Sequence, residues 1–502
     1  MKKFSIVCRS SPLSLIQAEI AKRHILLAFP NLEVDIIPKD TSGDLNKTQP
    51  LYELEGRNFF SKEIDEYILG AKADFAVHSL KDLSAERLFD TIFTGAILER
   101  NDPRDVVIFN ENIKSKIANY ETLVIGTSSL RRQEQAIKFL DRALPFTEGR
   151  PTQLITKTIR GNVDSRLSLL HAGEYDGIIL AAAGLNRLLG ASNEKVAHFL
   201  DNKKVIFLPL IECAPAPGQG ALLIEALSTN QAAVDVIQKI NNRSLASQLN
   251  AERQAVAHLG DGCHQKYGAI NISSQQQNFI NISGVDSNGN NVSNMLFDIS
   301  LQTTNKQLLS ATDHMKGFFS YEYLSVEVEK IRDIVFVAHH RAVIPELIPV
   351  LKQKRVWASG SRTWFELAKL GIWCEGCADG LGFDFLGDVF ARPLSTIAKH
   401  NISILTNYQS SKAWMASGVH SIGTYKLIPS IQQDLAVALS NADIIYWTNF
   451  MQYEAAKPYL KPTVQHLCPS GKTAEQFINE GINPVVFPGI KSFNLWRHQN
   501  NL

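Results

Sequence analysis

Short apolar runs that each give way to a helix-like stretch recur along the N-terminal part of the chain, and this alternation most limits what it can become. Phe4–Cys8, Val34–Ile37, Phe75–His78, Thr122–Ile125 and Gly177–Ala181 read as strands. Pro12 opens an amphipathic helix that runs to Phe29, and Ser61–Ala71 reads as another. Strands alternating with helices build mostly parallel sheets, so two α/β lobes are expected. From about residue 227 to 330 the texture changes. A helix-like run, Ala251–Leu259, precedes alternating segments at Phe279–Val285 and Ser293–Leu301 that are rich in Ser, Asn and Gln. A small α+β domain with an antiparallel sheet is expected there.

The last third repeats itself. Asp333-Ile-Val-Phe-Val-Ala-His339 parallels Asp443-Ile-Ile-Tyr-Trp-Thr-Asn449, and Thr363 and Thr473 follow at one shared spacing, each just after a Ser-Gly pair. Gly371-Ile372 and Gly481-Ile482 continue the match. The spacing implies a duplicated βαβα unit and hence a second two-lobed α/β module.

Composition excludes several classes. A net charge of +1 over 502 residues argues against a general nucleic-acid binder, so any basic patch is local. Six cysteines are too sparse for a disulfide framework and fit a reducing compartment. Met1-Lys-Lys-Phe-Ser-Ile-Val-Cys8 has a faint signal-like start, but Arg9 breaks its apolar run. No stretch reaches the ~18 apolar residues that crossing a membrane needs. A cytoplasmic protein is expected.

Four arginine-bearing loops carry the chemistry. Gly126-Thr-Ser-Ser-Leu-Arg-Arg132 follows a strand and leads into a helix, where backbone N–H groups and the hydroxyls of Thr127, Ser128 and Ser129 favour an anion. Arg131 and Arg132 add forked donors suited to carboxylates. Arg160-Gly-Asn-Val-Asp-Ser-Arg166 has the same composition, Arg9-Ser-Ser11 ends the first strand, and Arg187 follows Ala183-Gly-Leu-Asn186. Loops leaving the carboxyl ends of strands converge on one crevice, which would suit a ligand with many carboxylates or phosphates. Any one of these arginines could equally sit on a solvated helix face. Lys81-Asp82 follows a buried strand: Asp82 fits either a carboxylate that stabilises a developing cation or a helix N-cap. Cys263 fits either a small buried hydrophobe or, given Gly260, Gly262 and Gly268 around it, an exposed reactive thiol. Cys374-Glu-Gly-Cys377 lacks a second pair to complete a zinc site.

Taken together, these segments resemble hydroxymethylbilane synthase, the porphobilinogen deaminase family. The matching stretches run collinearly: Arg9-Ser-Ser-Pro-Leu-Ser-Leu-Ile-Gln17, Ala76-Val-His-Ser-Leu-Lys-Asp82, Asp102-Pro-Arg-Asp105, Gly126–Gln133, Arg160-Gly-Asn-Val163, Tyr175–Leu185, Pro217-Gly-Gln-Gly-Ala-Leu222 and Asp261-Gly-Cys263. The resemblance implies two periplasmic-binding-protein-like α/β lobes (1–98 with 206–226, and 99–205) and a small α+β domain (227–328). It implies a dipyrromethane cofactor held covalently by Cys263, with Lys81, Ser129, Arg131, Arg132, Arg160 and Gly161 as further cofactor contacts. Asp82 would be catalytic, steadying the cation formed when porphobilinogen loses ammonia, and Arg9, Ser11, Gln17, Phe60, Arg166 and Arg187 would bind substrate. No metal, nucleic acid or membrane is implied, and a monomer is expected. Glu53 and Asn58 stand where the family has Lys and Gly, and Ser84 where it has Pro.

The tail, 333–502, is similar to uroporphyrinogen-III synthase through Ala358-Ser-Gly-Ser-Arg-Thr363, Ile404-Leu-Thr406, Gly423–Pro429 and Pro469–Ala474. That likeness marks Tyr425, Thr448 and Thr473, and implies cyclisation of the deaminase product; an opening strand and first half-repeat are expected to be missing before Asp333. A shortened synthase and a non-catalytic appendage both fit. A chain that merely bound a carboxylated ligand would need the arginines but neither Cys263 nor Asp82.

Overall fold

The computed structural model describes residues 3–41, 62–83, 92–259, 266–273, 278–286, 288–299, 301, 303, 305–314, 317–500 and 502. It is a mixed α/β structure with five sheets among the described residues. The N-terminal half supplies β1 (Lys3–Arg9), β2 (Glu33–Lys39), β3 (Phe75–Ser79), β4 (Phe93–Arg100), β5 (Asp105–Phe109), β6 (Leu123–Gly126), β7 (Leu154–Lys157), β8 (Gly177–Ala181), β9 (Lys204–Phe207) and β10 (Ala221–Leu227). The first sheet has the order β2-β1-β3-β10-β4 and the second β7-β6-β8-β5-β9. The expected parallel pairing holds for β1 with β2 and β3, and for β6 with β7 and β8. Each sheet also takes in one reversed strand: β10 runs antiparallel to β3 and β4, and β5 antiparallel to β8 and β9. The reversal follows from connectivity. The chain passes from the first sheet to the second between β4 and β5 and returns between β9 and β10, so two connections, Asn101–Arg104 and Leu208–Gly220, join the sheets.

Local chemistry accounts for the helix starts. Pro12 occupies the first turn of the helix Pro12–Ala28 and the Ser11 side chain accepts from Ser14 N at 3.3 Å. Asn162 and Asn193 cap later helices in the same way, accepting from Ser165 N at 2.9 Å and Val196 N at 3.0 Å.

An antiparallel sheet of β11 (Lys266–Ser273), β12 (Asn278–Val285) and β13 (Asn291–Leu296) follows two helices, Gln231–Ile240 and Arg243–Gln254. The 227–328 segment does not end in this sheet. Leu308–Ser310 (β14) pairs in parallel with the later strand Ile444–Tyr446, and Phe319–Tyr323 (β15) pairs antiparallel to Ser421–Pro429. Asp443 fixes the first of these by accepting from Gln307 N at 2.9 Å. Two short strands before Asp333, β14 and β15, therefore pair into the C-terminal sheets, where an opening strand was expected to be missing.

The remaining strands are β16 (Ile334–Val337), β17 (Arg355–Ala358), β18 (Cys374–Cys377), β19 (Ile402–Asn407), β20 (Ser421–Pro429), β21 (Ile444–Tyr446), β22 (Gln465–Pro469) and β23 (Val485–Phe487). They form a six-stranded sheet, β15-β20-β19-β16-β17-β18, and a four-stranded one, β14-β21-β22-β23. The sequence repeat maps onto equivalent units, β16-β17-helix-β18 and β21-β22-helix-β23, with Thr363 and Thr473 in matching helices. Gly371 and Gly481 close those helices at φ 74° and 78°, a left-handed turn that glycine takes without strain.

The second and six-stranded sheets lie alongside one another at β9 and β18 and share cores on both faces. Val106 and Ile108 pack in one cluster with Ile334, Phe336 and Trp357, while Val107 and Phe109 pack in the other with Val335, Val337 and Trp373. Across the join, Trp364 Nε1 donates to Ala143 O at 2.9 Å and Phe146 N to Ala368 O at 2.8 Å. Period-two alternation sends successive residues of each strand to opposite faces of both sheets, so one boundary serves two cores. No helix among the described residues is long and apolar enough to cross a membrane.

Candidate active site

Parallel pairing puts the carboxyl ends of β1 and β3 at one edge of the first sheet, and with them Arg9 and Lys81-Asp82. Reversed β10 begins at that edge because Leu222 faces Ser79, which brings the loop Gly218-Gln219-Gly220 beside Lys81. In the second sheet, the carboxyl ends of β6, β7 and β8 lead to Ser129–Arg132, Arg160 and Arg187. There Asp105, the first residue of β5, faces Ala181.

Asp105 is the centre of the site. Arg131 Nη2 donates to Asp105 Oδ2 at 2.7 Å, Arg132 Nη2 to Oδ1 at 2.7 Å, and Gln219 Nε2 to Oδ1 at 2.9 Å. Lys81 Nζ donates to Gln219 Oε1 at 3.2 Å, so Gln219 ties the two sheet edges together. Burial opposes ionisation of Asp105, but Arg131 and Arg132 outweigh it and hold the carboxyl well below its usual range. Desolvation, partly offset by Asp82 and reinforced by Arg132 and Arg131, pushes Lys81 down to about 8. Burial, then Arg132 and Arg160, push Arg166 down to about 10, so it remains charged at neutral pH. Cations crowded around one carboxylate form a receptor for further anions.

The expected site residues fall into three groups. Lys81, Arg131, Arg132, Arg160 and Arg166 come together in this cluster. Arg166 Nε donates to Gly161 O at 2.8 Å; Gly161 itself has φ 101°, and a Cβ there would lie 2.9 Å from Ser165 Cβ. Arg187 is buried, its Nη2 donating to Gly220 O at 2.9 Å and to Glu99 Oε1 at 3.3 Å. Asp82 is exposed and ends a short 3₁₀ turn that begins after Ser79; the backbone that an N-cap at Asp82 would serve, from residue 84 on, lies outside the described residues.

The second group has structural partners. Ser129 caps the helix Leu130–Ala143, Ser11 caps Pro12–Ala28, and Gln17 Nε2 donates to Ser79 Oγ at 2.8 Å. Thr127 Oγ1 accepts from Ser129 N and Ser128 Oγ donates to Ile159 O, so these hydroxyls already serve the loop. Cys263 and Phe60, with Glu53, Asn58 and Ser84, lie outside the described residues.

The third group is in the tail. Thr448 and Thr473 follow β21 and β22 at one edge of the four-stranded sheet, and Thr448 Oγ1 donates to Gln452 Oε1 at 2.8 Å. Tyr425 belongs to the six-stranded sheet, packed beside Tyr321 and Tyr323, with burial pushing its hydroxyl up to about 12. Cys374 and Cys377 are buried on β18, and burial raises both thiols, which disfavours thiolate chemistry.

Reasoning from sequence missed the anchors Asp105 and Gln219, and the pair Arg100–Glu252. Arg100 Nε donates to Gln219 O at 3.0 Å and its Nη1 to Glu252 Oε2 at 2.9 Å, while Glu252 Oε1 accepts from Gly218 N at 2.6 Å. The signal was an Arg-Asp pair opening a strand and a Gln between two glycines, both inside stretches already noted for their resemblance.

Residues 4–235 match the family model described as porphobilinogen deaminase, dipyromethane cofactor binding domain. The porphobilinogen deaminase of Rickettsia typhi is 36% identical over 261 residues, covering 52% of this chain and 80% of the relative. That of Legionella pneumophila is 36% identical over 263 residues, covering 52% and 78%. The chain belongs to the porphobilinogen deaminase family. Members of this family are transferases that use a dipyrromethane cofactor. A solved structure of a mutant uroporphyrinogen III synthase from the extremely thermophilic bacterium Thermus thermophilus is also similar, at 14% identity and TM-score 0.24, covering 34% of this chain and 80% of that one. A score that low carries no argument about the tail.

The deaminase site fits a carboxylated pyrrole chain. Arg132 Nε and Arg187 Nε are buried without a hydrogen-bond partner among the described residues, so two guanidinium N–H groups have unused donor capacity at the cluster. Buried donors of this kind cost about 1–3 kcal/mol each when unmet, which ligand carboxylates would relieve.

Proposed function

We propose that this chain joins four porphobilinogen molecules head to tail, releasing ammonia at each addition, with the first two sheets acting as lobes of a clamp. The observation that carries the reading is the cation cluster: Arg131 and Arg132 on Asp105, Lys81 and Arg187 on the Gln219 loop, and Arg160 and Arg166 beside Arg132. Each pyrrole brings an acetate and a propionate, so a growing chain needs distributed guanidinium groups. Cys263 would hold the dipyrromethane through a thioether, with Lys81, Arg131, Arg132 and Arg160 on its carboxylates. When bound, that primer supplies the free pyrrole carbon to which each new unit is joined. Exposed Asp82 would face the substrate cation left when the aminomethyl C–N bond breaks, then accept the proton lost from the attacked pyrrole carbon.

Intact mass of protein from pathway-competent cells tests this reading. Wild type should carry two pyrrole units and Cys263→Ser none; an unmodified wild type would point to a ligand binder instead. For the tail we propose cyclisation with inversion of the last ring, supported by its two-sheet layout and by Tyr425, Thr448 and Thr473 in the expected segments. The ratio of type III to type I uroporphyrinogen made from porphobilinogen reads this out, since only type I would reduce the tail to an appendage.

A pH dependence follows from Lys81. Its ammonium is lost as pH rises through about 8, so the KM for porphobilinogen should climb across that pH, and Lys81→Arg should flatten the rise. Stability moves the other way. An unfolded lysine keeps its proton up to its ordinary 10.5, so the unfolded state binds more protons between these values and the fold gains as pH rises. A KM that is flat through pH 8 would remove Lys81 from the carboxylate grip.

A further inference from the structure

The two connections that join the first and second sheets meet one carboxylate from the other end of the chain. Asp379 follows β18 in the six-stranded sheet and its side chain is buried. Its Oδ1 accepts from Ile211 N at 3.0 Å, in the connection Leu208–Gly220, and its Oδ2 lies 3.6 Å from Arg104 Nη2, in the connection Asn101–Arg104. Arg104 also donates from N and from Nη1 to Asp102 Oδ1, both at 3.1 Å, and its guanidinium lies 5.3 Å from the Phe385 ring centroid. The next residue is Asp105, the anchor of Arg131 and Arg132.

Three features mark Asp379 as more than packing. It holds a left-handed backbone, φ 54°, which few side chains tolerate but Asp and Asn do. A buried ion pair is weak evidence for stability, because desolvation offsets its attraction. Arg104 Nη2 and Asp379 Oδ2 are buried, 3.6 Å apart and without a hydrogen bond, while the other arm of the same guanidinium is paired with Asp102. Any movement of one sheet against the other must bend both connections, and Asp379 is attached to both.

We propose that Asp379 is a positioning residue for the deaminase chemistry, supplied by the C-terminal module: it pins both connections and, through Arg104, sets how Asp105 presents Arg131 and Arg132. This rests on the deaminase reading above. The full-length Asp379→Asn variant keeps the left-handed turn and an acceptor for Ile211 N but removes the charge opposite Arg104. Active sites are counted by intact mass as the fraction carrying two pyrroles. Per active site, KM for porphobilinogen should rise about fivefold to tenfold, a usual size for coupling between sites, while kcat stays within about twofold. Ser361→Ala is the comparison: it removes the 2.9 Å bond to Glu212 Oε1 at the same join without touching Arg104, and should leave KM unchanged.

A merely structural role predicts equal losses of active fraction in both variants and no shift in KM. Arg104→Lys should raise KM as Asp379→Asn does, and combining the two should add nothing further. Additive effects, or an unchanged KM in Asp379→Asn, overturn the proposal. If Asp379→Asn does not fold, a normal KM in Arg104→Lys overturns it instead. Absence of porphobilinogen turnover in the wild type would sink the deaminase reading; turnover with an unaffected Asp379→Asn sinks only this one.

Discussion

Replacing Asp82 with Asn is expected to lower porphobilinogen turnover by about 10²–10³, the usual loss when one preorganised electrostatic group is removed from a reacting charge. Its placement makes this a clean test. Asp82 is exposed just past the carboxyl end of β3, beside Lys81. The substitution keeps the shape and removes only charge and basicity, and surface changes of this kind move stability by about 0.5 kcal/mol or less. Thermal unfolding should therefore be unchanged and the cofactor mass retained, while steady-state ammonia release collapses. Near-normal turnover would leave the substrate cation without its proposed partner and would reassign catalysis to another group.

Asp105→Ala should act in the opposite way, on the fold first. Asp105 is 1% exposed and answers two guanidinium groups that are themselves buried. Removing one partner of a buried ion pair costs about 3–5 kcal/mol, because the remaining charge is left uncompensated. Here two charges lose that partner, and Gln219 Nε2 loses an acceptor as well, so the upper half of that range is expected. The check is the denaturant midpoint of the cofactor-free protein at neutral pH, with the slope unchanged if the two-state transition is kept. A midpoint equal to wild type would mean that Arg131 and Arg132 find solvent or other acceptors easily, and that Asp105 is not the anchor.

Much of the candidate site was legible in the chain. The loops at Arg9, Lys81-Asp82, Gly126–Arg132, Arg160–Arg166 and Arg187 were identified from residue type and position after a strand, and the structure brings them to facing sheet edges. What those side chains do once there was not legible. Ser129 and Ser11, cofactor and substrate contacts by resemblance, are also helix caps, because a hydroxyl just before a helix serves its N–H groups. Gln17 is a substrate contact by resemblance, and its amide N–H also donates to Ser79, on a strand 62 residues away. Arg131 and Arg132 read as forked donors for ligand carboxylates, and they also share Asp105, which the sequence did not name.

Periodicity, punctuation and repetition are local properties, and the chain by itself determined what depends on them: strand-helix alternation, the duplicated units beginning at Asp333 and Asp443, and a concentration of arginine after strands. Tertiary structure alone decided the partners. It reversed β5 and β10 within otherwise parallel sheets, moved Leu308–Ser310 and Phe319–Tyr323 into the C-terminal sheets, and laid the second and six-stranded sheets together over shared cores. It also set Asp379 against Arg104 across 275 positions of sequence. The physical reason is that a strand's apolar pattern states which face is buried but not which edge it meets, and a charge states its sign but not its counterion. Both are chosen by whatever the rest of the fold brings within a few ångströms.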